Sequence, residues 1–92
     1  MAADPRIEEI RRELEGRLGG GYWRYSCRYY PPSEPDEPHA LVCESNLGGT
    51  FSLDDLREIV RILARRGARL DFFEVEGGDG NVIVGINFYF RR

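Results

Sequence analysis

The chain has 92 residues, 41% of them hydrophobic and 32% charged, and carries a formal net charge of −3. A chain of this size makes one domain and buries roughly 60–65% of its unfolded surface, enough for a single two-layer fold. The acidic balance disfavours non-specific nucleic-acid binding, which rests on lysine and arginine neutralising phosphates, and no apolar run reaches the roughly 18–20 residues of a membrane span. With no apolar h-region at the amino terminus, the expected location is cytoplasmic. All 13 cations are arginine, and glutamine is absent too. GC-rich codon usage would produce that composition, and so would a de novo designed scaffold built from few residue types.

Asp4-Pro5 reads as an N-cap carboxylate followed by proline at the first helical position. Ile7, Ile10, Leu14 and Leu18 then recur at helical spacing, while Glu8–Arg12 and Glu13–Arg17 stand four apart on the polar side, acid first. Gly19-Gly20-Gly21 ends this helix. Residues 22–30, YWRYSCRYY, alternate as a strand. The odd positions Trp23, Tyr25, Cys27 and Tyr29 are the more apolar and should face the core, which turns Tyr22, Arg24, Ser26, Arg28 and Tyr30 outward.

Residues 31–38, PPSEPDEP, hold four prolines and form a stiff polar loop. Residues 39–47 alternate again, with Leu41, Cys43 and Leu47 on one side and Ala40, Val42, Glu44 and Asn46 on the other. A hairpin closed by this loop sets Trp23 opposite Leu47, Tyr25 opposite Ser45, Cys27 opposite Cys43 and Tyr29 opposite Leu41. Thiols opposed on one face either bond or pack as two apolar sulfurs, and a cytosolic setting favours the free pair.

After a turn over 46–50, Ser52 is the N-cap of a second helix. Asp55 is the capping-box acid, with Phe51 and Leu56 at the staple positions around it. Leu56, Ile59, Val60 and Leu63 form its expected buried stripe. Arg65-Arg66 stands at the negative end of the helix dipole and Gly67 at C′. Strands 68–76 and 81–90 follow, joined by the hairpin loop Gly77-Gly78-Asp79-Gly80. In the last strand both alternating sets are largely apolar, which predicts an interior position. Arg69, Asp71, Glu74 and Glu76 make 68–76 read as a protected edge.

The order α-β-β-α-β-β, αββ twice, predicts a single α+β domain over residues 1–92, a two-layer sandwich with both helices on one face of a four-stranded antiparallel sheet. Joining the ends differently gives βαββαβ, so the arrangement resembles a circularly permuted ferredoxin-like fold, a scaffold that hosts many unrelated functions.

No residue set calls for a cofactor, a metal or catalysis. The single histidine, His39, stands four strand positions from Cys43, about 13 Å at roughly 3.3 Å per residue, too far for shared ligation or a thiol–imidazole dyad. Neither glycine cluster runs from strand to helix as a phosphate loop does. Asp54, Asp55 and Glu58 are accounted for by capping and the helix dipole. The expected protein is therefore not an enzyme.

What remains is the sheet face away from the helices. Tyr22, Arg24, Arg28, Tyr30, Val42, Phe72, Ile83, Asn87 and Tyr89 gather there, an apolar patch with the tyrosine and arginine enriched at protein interfaces. The expected function is protein binding or self-association as a homodimer, as in a small phage or microbial adaptor or inhibitor. The alternative is single-stranded nucleic-acid binding through the same aromatics. Glu44, Glu74 and Glu76 on the face and the lack of a glycine-punctuated aromatic strand weigh against that alternative.

Overall fold

The computed structural model describes residues 4–18, 25–45, 51–78 and 80–90. Its elements are α1 (Pro5–Arg17), β1 (Tyr25–Tyr30), β2 (His39–Ser45), α2 (Leu53–Arg65), β3 (Ala68–Gly78) and β4 (Asn81–Phe90). The four strands form one antiparallel sheet in the order β1-β2-β4-β3, with β4 in the interior and β3 at an edge as its sequence requires.

Both helices begin where their caps dictate. The Asp4 carboxylate accepts the Arg6 N–H at 2.9 Å, with proline as the first helical residue. Ser52 and Asp55 form a reciprocal capping box, the Ser52 N–H reaching Asp55 at 3.0 Å and the Asp55 N–H reaching Ser52 Oγ at 3.3 Å. At the far end of α2, Gly67 takes φ 74°, the left-handed conformation a glycine adopts without strain.

The core lies between the helices and one face of the sheet. Ile7, Ile10, Leu14 and Leu18 from the first helical segment are fully buried against Tyr25, Leu41, Cys43, Val84, Ile86 and Phe88. The stripe on α2 differs from its sequence reading: Ile59, Ile62 and Leu63 are buried, whereas Val60 is 45% exposed. At 100° per residue, positions 55, 59, 62 and 63 span one narrow face and position 60 lies well around the helix from its centre. The C-terminal end of α2 also meets α1 through ions. Glu13 sits between Arg65 and Arg66, and Arg66 Nη1 reaches Glu9 at 2.6 Å. Burial pushes the Glu13 carboxyl up, but the neighbouring guanidinium groups outweigh it and hold the carboxyl below its usual value.

The first hairpin has the predicted register, Tyr25 opposite Ser45, Cys27 opposite Cys43 and Tyr29 opposite Leu41. Trp23 and Leu47 lie outside the described residues. The cysteines, expected as free thiols, are joined in a disulfide with their Cα atoms 4.0 Å apart. The Cys27 N–H points away from β2, to the Glu15 carboxylate at 2.7 Å, so 27 and 43 form a non-hydrogen-bonded pair. Facing side chains approach most closely at such a pair, and bonding becomes available to the sulfurs.

The second hairpin turns more tightly than the expected four-residue loop. Gly77 and Gly78 pair with Val82 and Asn81, which leaves only positions 79 and 80 between the strands. A register shift between Leu70 and Phe72 makes Asp71 a bulge residue.

Candidate interaction face

The antiparallel registers lay the open face out as rows across the sheet. One row runs Tyr30, Ala40, Asn87, Phe72 and the next Arg28, Val42, Gly85, Glu74. A third runs Ser26, Glu44, Ile83, Glu76, and Tyr89 with Arg69 forms the end of the face beyond the first row. Neighbouring strands stand about 4.8 Å apart, so each row is roughly 14 Å wide.

Of the residues expected on this face, Tyr22 and Arg24 lie outside the described residues. Arg28, Tyr30, Val42 and Ile83 come together around a hollow of about 230 Å³, completed by Ser26 and Glu44. Phe72, Asn87 and Tyr89 are on the same face, but Phe72 stands at the edge opposite Tyr30, with Ala40 and Asn87 between them. Tyr30 and Phe72 are 51% and 52% exposed, the two large apolar side chains most open to solvent on this side among the described residues.

The Tyr89 hydroxyl donates to the Asp36 carbonyl at 3.3 Å, which ties the proline loop to β4. That loop is itself turned: the Glu37 N–H reaches the Glu34 carbonyl at 3.1 Å. Ser33 donates to Glu37 through its N–H and its hydroxyl, and these bonds hold the Glu37 carboxyl below its usual value.

Arg69 is a member of the face that unbroken alternation misses. The bulge at Asp71 reverses which side alternate residues occupy, so Arg69 joins Tyr89 and its guanidinium lies 5.5 Å from the ring centroid. The signal is present in the sequence. Ala68 and Leu70 are apolar at even positions and Phe73 and Val75 at odd ones, with Asp71-Phe72 at the crossover.

The charges are graded along the face. Glu44 and Glu76 share the row of Ile83, Arg28 and Glu74 stand at opposite edges of the middle row, and Arg69 lies beside Tyr89 at the far end. A phosphate backbone laid along such a surface meets three carboxylates for two guanidinium groups among the described residues, a poor arrangement for counterion release.

Away from this face, His39 sits at the hairpin end of β2. Its Nδ1 is 2.8 Å from the Tyr29 hydroxyl, and its ring packs against Phe88 and Phe90. Burial pushes its pKa below the ordinary 6.5, opposed by the Asp4 carboxylate and assisted by Arg6. Arg6 in turn lies 3.6 Å above the Phe90 ring centroid while bound to Asp4, whose carboxyl it holds below the usual range. No group of three or more His, Cys, Asp or Glu among the described residues could hold a metal ion.

Comparison with protein-family models, with curated proteins and with solved structures returned no match to this chain.

Proposed function

We propose that this protein is a non-enzymatic binding module whose open sheet face docks against another protein, in the simplest case a second copy of itself. The supporting observation is a sheet with helices on one side only, whose uncovered side carries Tyr30 and Phe72 half-exposed in one cross-strand row beside a hollow lined by Val42 and Ile83. Covering apolar area of this kind contributes roughly 25 cal/mol per Å². Tyrosine and arginine at its margin supply the amphipathic contacts that interfaces favour. With Glu44 and Glu76 at one end of the face and Arg69 at the other, two copies related by a two-fold axis can oppose unlike charges.

The strand order β1-β2-β4-β3 supports reading the topology as a circularly permuted ferredoxin-like fold. An adaptor or inhibitor role in a phage or microbe fits a small acidic domain with one such face, and so does a designed scaffold. A cytoplasmic location stays within this reading, since both sulfurs are buried and burial shields a disulfide from cellular thiols.

Light-scattering mass on the wild type and on the Tyr30→Ser/Phe72→Ser double variant tests the proposal. A dimer that becomes a monomer with an unchanged circular-dichroism spectrum is the expected result. If the wild type is monomeric and binds a short single-stranded oligonucleotide with a steep salt dependence, lost in the double variant, the face reads nucleic acid instead.

A further inference from the structure

The two edges of the sheet are treated differently. At β1 the outward Cys27 N–H is met by the Glu15 carboxylate of α1, so the helix side covers that edge. At β3 the edge is long and open, and among the described residues no hydrogen bond reaches its backbone from outside the β4 ladder. Alternation fixes which groups are free. Cys27 and Cys43 are a non-hydrogen-bonded pair, so Cys43 and Val84 bond, and Val84 and Val75 do not. The outward backbone groups of β3 are therefore those of Phe73, Val75 and Gly77.

The side chains along this edge are acidic. Asp71, Glu74 and Glu76 are exposed, and Glu44 lies on the same face two strands away. Two copies of β3 paired edge to edge about Glu74 or Val75 would oppose glutamate to glutamate, so the acids and the bulge act against self-pairing. Val75, 47% exposed on the helix side, and Phe72 on the open side offer one apolar contact on each face of an added strand.

We infer that the β3 edge between Phe72 and Gly77 receives an extended basic segment of another protein as a fifth strand, its backbone pairing with Phe73, Val75 and Gly77 and its arginines or lysines opposite Glu74 and Glu76. Ladder hydrogen bonds supply the attraction, and the acids that repel a second copy select the partner. This inference does not depend on what covers the open face.

The test uses the full chain and a fluorescent eight-residue peptide alternating arginine and valine, followed by anisotropy and amide hydrogen exchange. Saturable binding should slow exchange selectively at Phe73, Val75 and Gly77. Val75→Pro removes one outward N–H while leaving the β4 ladder whole, and Glu74→Lys/Glu76→Lys reverses the charge. Each should weaken binding at least tenfold, whereas Tyr30→Ser should leave it unchanged. Equal binding by a peptide alternating glutamate and valine, full affinity in the Glu74→Lys/Glu76→Lys variant, or exchange protection spread over the open face would overturn the inference.

Discussion

Breaking the Cys27–Cys43 bond should weaken the fold by an amount that loop length sets. The bond closes a segment of sequence separation 16. Constraining a loop of that length removes unfolded-state entropy worth about 3 kcal/mol at 25 °C. A domain of this size has roughly 5–15 kcal/mol in total, so the bond supplies a large fraction of it. The two sulfurs lie in the core beside Leu41 and Val84, so reduction leaves them packed as small apolar groups and adds little further penalty. Urea unfolding of oxidised protein and of protein equilibrated with a phosphine reductant measures the difference. The midpoint should fall on reduction, with the melting temperature lower by roughly 10–20 °C. The slope against urea should rise, because the unfolded chain is then free to expand. Coincident curves in a sample whose mass confirms the bond would refute the loop-entropy reasoning. Two alkylated cysteines in protein purified without reductant would refute the bond itself.

Replacing Ser52 by alanine removes the acceptor for the Asp55 N–H and should cost about 1 kcal/mol, read as a fall in melting temperature. Glu15→Ala strips the Cys27 N–H of its carboxylate and should cost roughly 1–2 kcal/mol, while Glu15→Gln, which keeps an oxygen acceptor, should cost clearly less. Ile62→Ala should cost about 2–4 kcal/mol and Val60→Ser close to nothing, reversing the weights that the sequence alone assigns to these neighbours. Because burial lowers the folded pKa of His39, the unfolded chain takes up that proton first. Its contribution is fully present above about 6.5 and is lost as pH falls below it. Melting temperatures between pH 8 and pH 5.5 should show this decline in the wild type and less of it in His39→Phe. Further loss near pH 4 then comes from the Asp4, Glu8, Glu13 and Glu37 carboxyls, whose pKa values are lowered in the fold.

The features legible in the sequence are those fixed by a few neighbouring residues. Asp4-Pro5 and the Ser52–Asp55 box announce the helix starts, because capping is chemistry within one turn. The loop at 31–38 sets the pairing of β1 with β2, because register follows once a hairpin is closed. The doubly apolar pattern of 81–90 places β4 inside. What escaped is what depends on a partner distant in sequence. Val60 and Ile62 are equally apolar, and only the angle at which α2 lies on the sheet decides which is buried. Nothing near Glu15 indicates that it meets the Cys27 N–H, and nothing near Asp36 that its carbonyl receives the Tyr89 hydroxyl. The bulge at Asp71 lay between these cases, visible as a switch from even to odd apolar positions but masked by strict alternation. On the open face, the grouping of Arg28, Tyr30, Val42 and Ile83 could be read from parity. The separation of Tyr30 from Phe72 depends on strand order, which the interior pattern of 81–90 and the edge pattern of 68–76 already constrain.

The interior place of β4 also governs when the sheet can exist. As the chain is made, β1 and β2 can pair through a local turn, and Cys27 can meet Cys43, before any of β3 or β4 has appeared. Among the described residues, strand β3 pairs with β4 alone, and the first hairpin joins the second where β2 pairs β4. Until residues 81–90 are in place the sheet itself is in two pieces, a cross-linked hairpin and the strand β3 beside α2. The pairing that unites them, from His39–Phe88 to Glu44–Ile83, closes a long stretch of chain, and such closures set the pace of folding. A chain truncated after residue 80 should therefore hold an oxidised hairpin that resists thiol labelling while the α2–β3 segment is still open to protease.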